Sequence, residues 1–169
     1  MPGKLLPFVS VIALLLILTA CDSTNPEPPN GGQPTVEVRD DLSLLRTRIT
    51  LPATVTDAKW TVLPLGTPAT DVPAPTDTIL YAYLTASDDQ PLSFGAQPRQ
   101  GAPQQSITLP TNVAEAIIPA NDLTSVVKKP GTYQMHGIAY NPSYFELGSY
   151  RGVFAIKLAN GMLVALQGQ

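Results

Sequence analysis

Apolar and polar residues alternate along much of this chain, and that alternation restricts it to a narrow set of folds. Thr78–Ala86 reads TILYAYLTA, a run rich in β-branched and aromatic residues that suit a pleated, buried surface. Trp60 and Val62 alternate with polar residues in 58–63. Leu45, Thr47, Ile49 and Leu51 alternate with Arg46, Arg48 and Thr50, and Val36 and Val38 with Glu37 and Arg39. Successive strand side chains point to opposite faces, so each run predicts a half-buried strand. Residues 106–109 and 113–118 are shorter candidates, 132–140 and 152–159 longer ones. Asn160 and Gly161 separate the apolar run 153–159 from 162–167, the signature of a two-residue hairpin. Helical periodicity is scarce: 113–118 and 121–127 are the stretches that also allow one short turn or helix. Clusters of Pro, Gly, Asp and Asn at 64–77, 87–104 and 119–122 read as turns and surface loops.

These signals predict one all-β domain over residues 35–169, a two-sheet sandwich with a small β-barrel as the alternative. The 18 prolines and 12 glycines make up less than a fifth of the chain, below the ~25–30% of low-complexity disorder. The single cysteine rules out a disulfide within the chain, so packing alone must stabilise the domain.

The beginning of the chain follows a different rule. Lys4 precedes an uncharged, mostly apolar stretch, residues 5–20, which ends in Leu18, Thr19, Ala20 and then Cys21. A charged start, an apolar middle and small residues before a cut site make a secretory signal. At 16 residues the stretch is shorter than the roughly 18–20 needed to span a bilayer. The Leu-Thr-Ala-Cys ending resembles the lipobox of bacterial lipoproteins. That resemblance implies cleavage before Cys21, a diacylglycerol on its thiol and a fatty acyl group such as palmitate on the new amino terminus. Residues 1–20 are then the signal peptide, and 21–34 the lipidated cysteine with a Pro/Gly-rich tether. Residues 22–34 contain no large apolar side chain, so they bury too little surface to offset their ordering entropy. Fully extended, these 13 residues reach about 40 Å. The expected location is the cell membrane or outer membrane, facing periplasm or exterior. Asp22 matches the inner-membrane retention signal of enterobacterial lipoproteins.

Residues 130–141, PGTYQMHGIAYN, resemble the penultimate strand of immunoglobulin-like domains. In those domains a Gly-x-Tyr opening leads into alternating apolar residues. The resemblance implies an immunoglobulin-like sandwich, with Tyr133 bonding its hydroxyl back to the chain upstream and Trp60 as a core tryptophan. Met135, Gly137 and Ala139 would then share the inward face with Tyr133. Gly137 within a strand predicts a bulge or a close backbone approach. Neither core cysteine of the antibody pattern is present.

Catalytic chemistry has little to stand on. In residues 148–152, GSYRG, the serine is misplaced for a nucleophile elbow. The lone histidine, His136, reads as a polar-face strand residue, and one histidine without a second cysteine makes no standard zinc site. Asp40-Asp41 and Asp88-Asp89 lack the alternating spacing of a calcium loop and read as turn acids. No cofactor is expected. Without the signal, nine Lys and Arg face thirteen Asp and Glu, and this acidic balance argues against nucleic acid.

One cluster suggests recognition. Tyr140, Tyr144, Phe145, Tyr150 and Arg151 fall within the connection 140–151. Loop aromatics stack on sugars or anchor a partner protein, and they also seal the ends of sandwiches. The expected function is a membrane-anchored envelope lipoprotein, not an enzyme, with a structural or protein-interaction domain. The alternative is a lipoprotein that binds a carbohydrate or a small apolar molecule. The expected partners are the membrane, through the lipid, and an envelope protein or glycan.

Overall fold

A computed structural model describes residues 36–66, 77–86, 104–124 and 126–169. All belong to one compact unit, Gln33–Gln169. The signal, Cys21, the tether, Asp88-Asp89 and most of the loops 64–77 and 87–104 lie outside the described residues.

The domain is all-β. Seven antiparallel strands form one hydrogen-bonded sheet: β1 (Val55–Pro64), β2 (Thr78–Ala86), β3 (Gln105–Pro110), β4 (Val127–Lys129), β5 (Thr132–Ala139), β6 (Arg151–Lys157) and β7 (Met162–Gly168). The order is β1-β2-β7-β6-β5-β3, with β4 also on β5. Among the described residues β1 and β3 end the path without meeting, so the sheet is open and the barrel alternative is excluded.

The arrangement is sandwich-like because β5 turns a corner. Residues 132–137 pair with β3, and 132–134 also with β4, whereas Ile138 and Ala139 pair with Lys157 and Ile156 of β6. At the corner a Cβ on Gly137 would stand 2.5 Å from the Lys157 carbonyl oxygen. The expected close approach is there, and only glycine fits it.

The four-stranded part β1-β2-β7-β6 is covered on both faces. One face carries Trp60, Leu80, Leu84, Val164 and Leu166, packed with Leu45, Ile49, Phe145 and Tyr150. The other carries Tyr83, Leu163, Ala165, Phe154 and Ile156, packed against Ile107, Leu109, Tyr133, Met135 and Ile117. A strand buried on both sides needs apolar residues at successive positions. The sequence of β7, MLVALQG, meets that need, with all but Gln167 buried.

Two strand expectations are corrected. Residues 36–38 form no strand: Val38 is 40% exposed, and Arg39 makes an isolated bridge to Trp60. Residues 45–51 are not a strand: α1 (Leu42–Arg46) forms there, with the Asp41 carboxylate accepting from Leu44 N–H at 2.9 Å as its cap. Leu45 and Ile49, one turn apart, are both fully buried, a spacing that alternation and helix share. Of the two forms that 113–118 allowed, strand or short helix, the structure takes the helix, α2 (Thr111–Ile117), which buries Val113, Ala114 and Ile117. The turn expected at 119–122 is the short helix α3 (Ala120–Leu123). Pro110 and Pro119 stand at the N-caps of these two helices, φ already fixed for entry.

The β6–β7 hairpin forms as expected, but its turn is shifted. Leu158 N–H donates to Gly161 O at 2.9 Å, so Ala159 and Asn160 occupy the turn. No non-glycine residue described has positive φ, so Asn160 is not left-handed.

Candidate interaction surface

The connection 140–151 is a built element. Asn141 caps the 3-10 helix Pro142–Phe145, its side-chain oxygen accepting from Ser143 N–H at 3.2 Å. Two bonds staple this helix to the chain after α1: Thr50 N–H donates to Phe145 O and Thr50 Oγ1 to Glu146 O, both at 3.0 Å. Glu146 Oε1 in turn accepts from Gly152 N–H at 3.0 Å, which satisfies a donor on the outer edge of β6. A Cβ on Gly152 would run into the Pro142 backbone, so the connection lies directly over the start of β6.

The five residues singled out there divide by burial. Phe145 is fully buried and Tyr150 is 9% exposed, so both rings sit in the core that also holds Trp60 and Leu166. Tyr140 and Tyr144 are half-buried against the same core, and Tyr144 meets Phe145 edge-on at 5.4 Å. Arg151 is exposed, yet its Nη1 donates to Gly148 O at 2.7 Å and Tyr150 O at 3.0 Å. What the connection offers outward is the free part of Tyr144, Arg151 and Leu147, the last 43% exposed.

Trp60 stands beside this element. It is fully buried, its backbone pairs with Arg39 in both directions at 2.8 Å, and its Nε1 donates to Asp41 O at 3.3 Å. The guanidinium groups of Arg39 and Arg48 lie 5.4 and 5.8 Å from its ring centre, within cation–π range. Arg48 Nη1 donates to Tyr150 Oη at 3.2 Å and links α1's exit to the connection.

Sequence reading missed a buried carboxylate. Asp122, in α3, is 1% exposed. It accepts from Tyr83 Oη, from Asn160 Nδ2 and from Asn160 N–H, the last at 3.3 Å. Burial, then the Asp122 bond and charge, push the Tyr83 hydroxyl well above the usual tyrosine range. Polar spacing gave no hint, because the three residues come from a helix, a strand and a turn. Asn160 followed by glycine was the one visible mark, and a Cβ on Gly161 would strike the Tyr83 ring.

A second cluster sits at the surface. Glu115 Oε1 accepts from Lys128 Nζ at 2.8 Å and Tyr133 Oη at 2.9 Å. These bonds hold the Glu115 carboxyl below its usual range and the Lys128 ammonium above its own. Tyr133 is a core residue as expected, and its hydroxyl reaches upstream, but to the Glu115 side chain rather than the main chain. β5 is also followed by two strands, so it is not the penultimate one. His136 lies exposed on the outer face of β5.

Among the described residues no helix is long and apolar enough to cross a membrane, and no group of His, Cys, Asp and Glu could hold a metal ion. The fold defines an all-β, sandwich-like domain. Compared with known protein families, curated proteins and solved structures, the chain matches none.

Proposed function

We propose that this chain is a membrane-anchored envelope lipoprotein whose domain acts by structural support or protein interaction rather than catalysis. The observation that carries this reading is the uncharged stretch 5–20 closing on Leu18, Thr19, Ala20 and Cys21. In this reading residues 1–20 are removed and Cys21 carries the lipid. Two or more acyl chains anchor stably, at about 0.8 kcal/mol per buried CH2. The tether 22–34 then holds the domain 35–169 within about 40 Å of the bilayer.

The polar groups that the fold gathers support a scaffold. Arg48, Glu115 and Asp122 each close bonds between elements of the domain itself. Partner contact is assigned to the outward side of the connection 140–151, through Tyr144 and Arg151, with Phe145 and Tyr150 beneath them as a rigid base. Mass spectrometry of the membrane-extracted protein tests the reading. An acylated cysteine as the first residue is the expected result, and an intact Met1 terminus on the membrane protein overturns it. Cys21→Ala is expected to leave the protein unprocessed or to release it from the membrane.

A further inference from the structure

The grip of Asp122 on Asn160 has a chemical consequence. An asparagine followed by glycine deamidates when the next backbone nitrogen reaches the side-chain carbonyl carbon, because glycine offers least steric resistance. Gly161 N loses its proton and bonds to Asn160 Cγ. The Cγ–Nδ2 bond breaks and ammonia leaves, giving a cyclic imide. Water then opens the imide to aspartate or isoaspartate.

Attack requires the Asn160 side chain to swing back over its own main chain. In the fold it is held forward, since Nδ2 donates to Asp122 Oδ1 while the Asn160 N–H donates to Oδ2. Asn160 itself is exposed, so water and hydroxide reach it. We infer that Asn160 is a latent deamidation site guarded by Asp122, and that its conversion opens the fastening between α3 and the β6–β7 hairpin irreversibly. The product places a second carboxylate against a buried one. It replaces a donor with a like charge, so the fastening does not re-form.

The chain contains its own reference, because Asn30 is also followed by glycine. Peptide mapping of the purified full chain, incubated at mildly alkaline pH, reads both sites in one sample. Asn160 is expected to convert about tenfold or more slowly than Asn30 in the folded protein, as one charge-assisted hydrogen bond to the amide would impose. The two rates should converge in urea. Asp122→Asn should raise the Asn160 rate toward that of Asn30 and leave Asn30 unchanged. Equal rates in the folded parent overturn the guard, and an unchanged Asn160 rate in Asp122→Asn overturns the role of Asp122. Should Asp122→Asn fail to fold, Asn160→Asp carries the test. A variant as stable as the parent overturns the irreversible opening, and a lowered unfolding midpoint supports it.

Discussion

Tyr83 on β2 donates its hydroxyl to Asp122 on α3, and neither residue is more than 2% exposed. The bond ties a helix at the rim to the central sheet. A buried carboxylate is tolerated only where donors surround it, and Asn160 completes that shell from the hairpin turn. Tyr83→Phe removes one donor and keeps the ring. It is expected to cost about 1–3 kcal/mol in urea unfolding, since the buried carboxylate loses one of its donors. Burial of the hydroxyl, together with this bond, also gives an alkaline signature. The folded-state pKa of Tyr83 is raised, so its contribution is intact below the ordinary tyrosine value near 10 and lost as pH rises beyond it. Stability of the parent should therefore fall above about pH 10 more steeply than that of Tyr83→Phe.

Trp60 is fully buried between α1's exit and β2, paired in register with the small Ala82. Trp60→Ala should cost about 3–5 kcal/mol, a large share of the stability of one domain. Native fluorescence should be that of a buried indole and shift to the red on unfolding.

Phe145 and Tyr144 are neighbours with different surroundings. Phe145→Ala empties a fully buried site and is expected to cost about 3–5 kcal/mol. Tyr144→Ala, half-buried, should leave the unfolding midpoint much closer to the parent's. If the connection recognises an envelope partner, Tyr144→Ala weakens crosslinking to that partner in the host membrane at unchanged stability. Capture that tracks only the folded fraction would remove residues 140–151 from the binding account.

Glu115 offers an acid-side test. Its folded pKa is depressed by Lys128 and Tyr133, so the stability it contributes is present above the ordinary carboxylate range and lost as pH falls through the folded value. Glu115→Gln should therefore be slightly less stable than the parent at neutral pH, and the difference should close in acid. The group is solvent-exposed, so the effect is expected to be small and salt-sensitive.

Strands whose two faces differ, or whose run is long, were legible in the sequence. Thr78–Ala86 is a strand over the bounds read from TILYAYLTA, and β5 buries Tyr133, Met135, Gly137 and Ala139 on one face as its alternation demanded. Where apolar spacing satisfied two periods, local bonds decided. Leu45 and Ile49 fit strand and helix alike until Asp41 capped the helix. β4, three exposed residues long, has no apolar alternation to read. Of the candidate surface, the sequence located the aromatics of 140–151 but not their depth. Phe145 and Tyr150 are buried in a core shared with Trp60 and Leu166, distant in the chain. Asp122 was illegible for the same reason, since its donors come from residues 83 and 160.

The position of β7 sets an order of events. It comes after β2 and β6 in the chain yet lies between them in the sheet, pairing Leu80 with Leu166 and Ala155 with Val164. Until residues 162–168 arrive, β2 and β6 have no shared neighbour, and both cores lack the side chains that β7 brings to them. Such long-range closure is slow compared with local helix formation. If the chain is exported as proposed above, this delay is an advantage. In that case the polypeptide would stay pliable through transit, and the domain would close once its closing segment had emerged on the far side.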